Sequence, residues 1–210
     1  MIKNVGILGG AFDPPHVAHV ALAHRAIAQL ELDVLHVVPT GKAWHKSRDL
    51  SDAKHRVVMA QLAFLMSSPE GLYSDKIRID DREAQRSGPS YTIDTVKEIE
   101  LLYPKAKLFL IIGQDQALAF EQWREPDQIV KKAQIVIASR RVSPHTDDQS
   151  NLSPARPPSL QGAIDLNCPL MPISATEVRA FIHQGLDVSQ LVPELVLHYI
   201  QQQGLYANTT

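Results

Sequence analysis

Val5 to His19 reads VGILGGAFDPPHVAH, and the fold can be worked outward from it. The run Ile2 to Leu8, carrying Ile2, Val5 and Ile7 and closed by Gly9 and Gly10, has the length and composition of a buried strand. Two residues without side chains at its end let a ligand come close to the backbone. Ala11 to Pro15 turn the chain, Pro14 and Pro15 suit entry to a helix, and the spacing predicts that helix from about Val17 to Leu30. Unpaired amides and the macrodipole favour an anion at a helix start. His16 and His19, at i and i+3, share a face there and aim two imidazole donors at one phosphate.

Beyond this unit, strand and helix alternate. Strands are expected at Val34 to Val38, near Lys76 to Ile79, at Leu108 to Ile112, at Ile135 to Ala138 and, last, at Leu170 to Ile173. Helices are expected near Asp52 to Ser67, Thr92 to Tyr103, Pro126 to Lys132, Ala175 to Gln184 and Pro193 to Gln203. Such alternation predicts an α/β fold: a Rossmann-like, doubly wound parallel sheet with helices on both faces and a small C-terminal helical part at 174–210. Ser143 to Gly162, dense in proline and serine, reads as a mobile surface loop. The 210 residues suffice for one domain with a full core, so 1–210 is expected to be a single unit.

Composition narrows the function. With 21 Lys and Arg against 23 Asp and Glu, the formal net charge of −2 leaves no electrostatic footprint for nucleic acid. No apolar run reaches the roughly 18 residues of a membrane span, and the opening residues lack the pattern of a secretory signal. A cytoplasmic protein is expected. The single cysteine, Cys168, has no partner for a disulfide or a zinc site and reads as a buried small residue. His24, His36, His55, His145, His183 and His198 show no metal-ligand spacing.

A second phosphate signal lies near the C-terminus. In PISATEVR, Pro172 to Arg179, Ser174 precedes Glu177 by three residues, the pattern of a capping box. Thr176 and Arg179 add a hydroxyl and a guanidinium beside the same helix start, a set suited to a polyphosphate. In an open α/β sheet, ligands gather outside the carboxyl ends of the strands, so the two helix starts could face one cleft.

The early HVAH (His16 to His19) and late ISATEVR (Ile173 to Arg179) resemble the paired motifs of the nucleotidyltransferases with an HxGH-type site. Within them the chain resembles the bacterial nicotinate mononucleotide adenylyltransferases. HK at His45 and Lys46, GPSYTIDTV at Gly88 to Val96, IIGQD at Ile111 to Asp115 and the following Trp123 agree in order and spacing, over nearly the whole chain. Ala11, Ala18, Ala43 with Trp44, and Ala175 depart from the usual pattern, and none of them removes a charged or donor group.

The resemblance implies adenylyl transfer from ATP to nicotinic acid mononucleotide, giving deaminated NAD and pyrophosphate by in-line attack of the mononucleotide phosphate. Transfer to nicotinamide mononucleotide or phosphopantetheine, or nucleotide binding without chemistry, are the alternatives. An attacking phosphate that is already ionised needs no strong general base, so alignment and charge stabilisation suffice. His16, His19, Lys46 and Arg179 are the implied catalytic set. ATP is expected along Gly9, Gly10, Ala11 and Phe12, with Gly113, Asp115, Ser174 and Thr176; the mononucleotide is expected at Lys46, Tyr91, Thr92 and Trp123. Mg2+ is expected on the ATP phosphates and water, without a dedicated carboxylate cage. The residues alone leave second readings open: a solvated Lys46, a core Trp123, a helix-capping Asp115, and an Asp13 that serves either the metal's waters or the turn.

Overall fold

The computed structural model describes residues 1–41, 50–66, 72–140, 156–168 and 171–207. Six strands form one parallel sheet: β1 (Asn4–Gly10), β2 (Val34–Pro39), β3 (Ile77–Ile79), β4 (Lys107–Gly113), β5 (Ala133–Arg140) and β6 (Ile164–Cys168). Their order is β3-β2-β1-β4-β5-β6. The direction of winding reverses between β1 and β4, whose register pairs Val5 with Leu108 and Leu8 with Ile111. That is the doubly wound arrangement expected from the alternation, and it opens a crevice at the carboxyl ends of β1 and β4.

Among the described residues, eight α-helices flank the sheet: α1 (Val17–Gln29), α2 (Ala53–Gln61), α3 (Arg82–Gln85), α4 (Thr92–Leu102), α5 (Gln114–Leu118), α6 (Pro126–Lys132), α7 (Ala175–His183) and α8 (Glu194–Gln203). Each face has its own core. Ala23, Ile27, Leu35, Met59, Phe64, Val178 and Val196 pack on one side, and Val5, Ile7, Ile93, Val96, Leu110, Phe120 and Ile129 on the other. Residues burying both faces of a strand explain why the strands read as continuous apolar runs.

Four expectations are corrected. The last strand is Ile164–Cys168, paired with β5 from Val136↔Ile164 to Arg140↔Cys168, whereas Met171–Ser174 has no regular structure and 169–170 lie outside the described residues. As an edge strand, β6 carries the polar Asp165 and Asn167 between Ile164 and Leu166, which hides it from a search for apolar runs. The expected loop Ser143–Gly162 lies outside the described residues up to 155; from Arg156 the chain is built into the sheet's flank. Pro158–Leu160 is a 3₁₀ turn, Leu160 is 1% exposed, and Ser159 Oγ donates to Glu121 Oε1 at 2.6 Å. Cys168 is half-buried rather than buried, and burial pushes its thiol up. The expected helix at 52–67 is α-helical over α2 and widens to a π-helix at Leu62–Met66. Among the described residues, no helix is long and apolar enough to cross a membrane.

Candidate active site

At the crevice, β1 ends in Gly9 and Gly10 and the chain turns through a buried loop before α1. A Cβ on Gly10 would sit 2.8 Å from the Phe12 ring, while one on Gly9 meets nothing within 4 Å. Gly10 thus admits Phe12 beneath the turn, and Gly9 leaves open space above the strand end. Phe12 takes φ 48 and is 2% exposed. Its ring meets His19 edge-on at 5.2 Å and Phe64 at 5.4 Å, so it braces the imidazole from below.

His16 is the N-cap of α1, in extended conformation, and Pro14 and Pro15 precede it instead of occupying the first helical turn. The His16 amide donates to His19 Nδ1 at 3.2 Å. A lone pair must therefore face that amide, which leaves the His19 proton on Nε2 in the neutral ring. The two imidazoles stack at 3.7 Å between centroids, 25° apart; His16 is 5% exposed. The helix start itself is less open to an anion than the sequence implies. The Val17 amide donates to Leu191 O at 3.0 Å and the His19 amide to His16 O at 2.9 Å. Side-chain donors rather than a free row of amides define this end of the site.

A cavity of about 310 Å³ opens over the carboxyl ends of β1 and β4. Of the residues expected to bind ATP, it is lined by Gly9, Gly10, Ala11, Phe12, His19, Gly113 and Asp115, and of those expected to bind the mononucleotide, by Tyr91, Thr92 and Trp123. Trp123 lies half-buried against Phe120, with ring centroids 5.2 Å apart, and remains part of the wall. The Arg124 guanidinium lies 4.7 Å over the Tyr91 ring. Asp115 sits in the first turn of α5, its Oδ2 accepting from Gln116 at 3.2 Å.

The late motif forms the capping box read from the sequence. Ser174 Oγ accepts from the Glu177 amide at 3.2 Å and donates to Glu177 Oε2 at 2.6 Å, and Glu177 Oε2 accepts from the Ser174 amide at 3.1 Å. Thr176 Oγ1 accepts from Arg179 Nη2 at 3.0 Å. Arg179 Nη1 reaches the first turn, donating to Asp13 O at 2.6 Å. The two motifs are thus joined, although His16, Ser174, Thr176 and Arg179 are not among the residues lining the cavity. Lys46 and His45 lie outside the described residues.

Several residues of the site escaped the sequence reading. Arg56, 2% exposed, donates from Nη1 to Ala11 O at 3.0 Å and Thr40 O at 2.6 Å, and from Nε to Ser51 O at 2.8 Å. Burial lowers its pKa against the opposing charge of Asp13. Its signal was its position: Arg56, Met59, Ala60 and Ala63 form one buried helical stripe, and a cation within such a stripe needs partners. Glu83, also on the cavity wall, is 8% exposed and its carboxyl is raised by burial. Thr95 Oγ1 donates to Glu83 Oε1 at 2.6 Å, and Ser90 Oγ to Glu83 O at 3.3 Å, so the SYTIDT stretch holds α3 as well as lining the cavity.

Comparison with known proteins follows the same lines. Residues 7–181 match the cytidylyltransferase-like family. A relative from Albidiferax ferrireducens, named "Probable nicotinate-nucleotide adenylyltransferase", is 43% identical over 98% of this chain and 98% of its own. One of the same name from Methylibium petroleiphilum is 38% identical over 98% of this chain and 93% of its own. Among solved structures, Plasmodium falciparum nicotinic acid mononucleotide adenylyltransferase complexed with NaAD shares the fold, with a TM-score of 0.74 and 23% identity over 97% of both chains.

Proposed function

Because the chain belongs to the cytidylyltransferase-like family and, within it, to the nicotinate-nucleotide adenylyltransferases, we propose that it transfers the adenylyl group of ATP to nicotinic acid mononucleotide. A phosphate oxygen of the mononucleotide attacks the α-phosphorus, the bond to the β-phosphate breaks, and deamido-NAD and pyrophosphate leave. The observation that carries this reading is one cavity at the β1/β4 switch point whose lining includes Gly9, Gly10 and His19 together with Thr92 and Trp123. One space thus offers a donor for phosphate and a flat indole face for a pyridine.

His19, oriented by the His16 amide and braced by Phe12, presents Nε2–H to charge developing on the phosphates. His16 stacks on it and holds the ring pair in place. Arg179, joining Thr176 to Asp13, adds a fixed positive charge beside the same turn, where the leaving pyrophosphate oxygens gather. Lys46 completes the expected phosphate-binding set on the sequence pattern alone. Asp115 serves the ribose hydroxyls, and Tyr91, Thr92 and Trp123 take the nicotinate ring.

Among the described residues, no group of three or more His, Cys, Asp or Glu side chains is gathered around a metal position. The buried carboxylate nearest the histidines in sequence, Asp13, already accepts from Tyr206 and Ser51. Mg2+ would be brought to the site by ATP itself. When bound, the ion neutralises phosphate charge.

Pyrophosphate release with ATP and Mg2+ tests the reading, comparing nicotinic acid mononucleotide, nicotinamide mononucleotide and phosphopantetheine at equal concentration. Strong preference for the first is expected. Preference for another acceptor overturns the pocket assignment, and no release with any of them overturns the chemistry.

A further inference from the structure

The C-terminal tail reaches the turn that carries the histidines. α8 stops at Gly204, which takes φ 61, and the Leu205 amide folds back to Ile200 O at 3.0 Å. The next residue, Tyr206, is itself left-handed at φ 62, a conformation a tyrosine keeps only where its surroundings impose it. What they impose is visible: the Tyr206 hydroxyl donates to Asp13 Oδ1 at 2.6 Å across 193 residues of chain, and lies 3.9 Å from Met59 Sδ. Burial pushes that hydroxyl far above the usual tyrosine range, and the bond to Asp13 acts in the same direction, so it stays a donor throughout the working pH range.

Asp13 is 1% exposed and is fixed at three points. Oδ1 accepts from Tyr206, Oδ2 accepts from the Ser51 amide at 3.3 Å, and its main-chain oxygen accepts from Arg179 at 2.6 Å. Three residues further on stands His16, whose amide orients His19. We propose that Tyr206 is a positioning residue for adenylyl transfer: by holding the Asp13 carboxylate it fixes the carbonyl that seats Arg179, and with it the spacing between Arg179 and the histidine pair. The proposal rests on the functional reading above and adds to it a residue that touches neither substrate.

The test is Tyr206→Phe, which keeps the buried ring and removes only the hydroxyl, with activity normalised to the folded fraction from melting curves. Loss of one hydrogen bond to a charged group predicts a fall of about tenfold in kcat with the KM for the mononucleotide unchanged, since Trp123 and Thr92 take no part in the hydrogen bonds around Asp13. ATP affinity measured by calorimetry, without any mononucleotide, should weaken in parallel. In a cycle with Arg179→Lys, the double variant should be hardly worse than Arg179→Lys alone, because both act through one carbonyl. A lowered melting temperature with kcat and ATP affinity intact overturns the proposal, as does full additivity with Arg179→Lys. Wild-type protein run alongside separates the two levels: if it releases no pyrophosphate the functional reading fails, while the calorimetric comparison still reads the Tyr206 link.

Discussion

Arg179 donates through Nη1 to the main-chain oxygen of Asp13 at 2.6 Å and through Nη2 to Thr176 Oγ1 at 3.0 Å, so one planar guanidinium ties the start of α7 to the turn before α1. A lysine carries the charge but cannot span both acceptors with a rigid fork. Arg179→Lys is therefore expected to lower kcat/KM for ATP by about tenfold or more, the scale of a charge-assisted hydrogen bond, and Arg179→Ala to lower it further. Steady-state kinetics with varied ATP at saturating mononucleotide measures this, and an unchanged value for the lysine variant would remove the fork from the mechanism.

His19 is set for one task by two contacts: the His16 amide on Nδ1 and the Phe12 ring edge-on to the imidazole. Loss of a preorganised donor to a developing charge costs about 100-fold or more in turnover, so His19→Ala is expected to fall by that much with the KM for the mononucleotide nearly unaltered. Turnover within a few-fold of wild type would contradict the assignment. Phe12→Leu, which keeps bulk but loses the ring edge, should give a smaller loss of the same kind.

These two sites were legible in the sequence to different depths. The strand, the paired glycines and the histidine spacing were local signals: α1 starts at Val17 as expected and Gly9 to Phe12 line the cavity, while β1 is shifted two residues along and takes in both glycines. The capping box of Ser174 and Glu177 is also local, and it is present. What escaped the sequence is what depends on chain closure: Arg56 reaching Ala11 and Thr40, Tyr206 reaching Asp13, and Arg179 reaching the same residue. No periodicity encodes a side-chain bond across 193 residues. The commitment of the Val17 amide to Leu191 O belongs to the same class, and it changes the site from an open helix end to a set of side-chain donors. β6 was missed for the opposite reason: its pattern is local, but polar residues at a sheet edge weaken it.

Trp123 offers its indole to the cavity while its other side rests on Phe120 at 5.2 Å. Stacking of a base on an aromatic side chain contributes about 1–3 kcal/mol, which corresponds to a KM for the mononucleotide raised by roughly 5- to 150-fold in Trp123→Ala. The KM for ATP should stay near wild type. A rise confined to ATP would place the adenine, not the pyridine, against this ring and reverse the two halves of the cavity.

Asp80 anchors a polar network just after β3, accepting from Arg82 Nη2 at 2.7 Å and lying 2.7 Å from His36 Nδ1, whose other nitrogen lies 3.1 Å from the Tyr103 hydroxyl. Burial alone would raise its carboxyl, but the hydrogen bonds from His36 and Arg82 outweigh that and hold it far below the usual carboxylate range. A folded-state pKa depressed in this way contributes stability that is fully present above the unfolded value, 3.8, and is lost as the pH falls from there through the folded value. Asp80→Asn, which keeps the shape and removes the charge, should therefore destabilise the protein by about 2–4 kcal/mol at pH 7, the scale of breaking a largely buried pair. Below about pH 4 the gap between the two proteins should narrow, because in the wild type alone the unfolded chain takes up a proton at this carboxyl while the folded Asp80 is still ionised. Urea unfolding of both proteins between pH 7 and pH 3 reads this directly. A gap that stays constant over that range would mean that Asp80 contributes through packing and not through its charge.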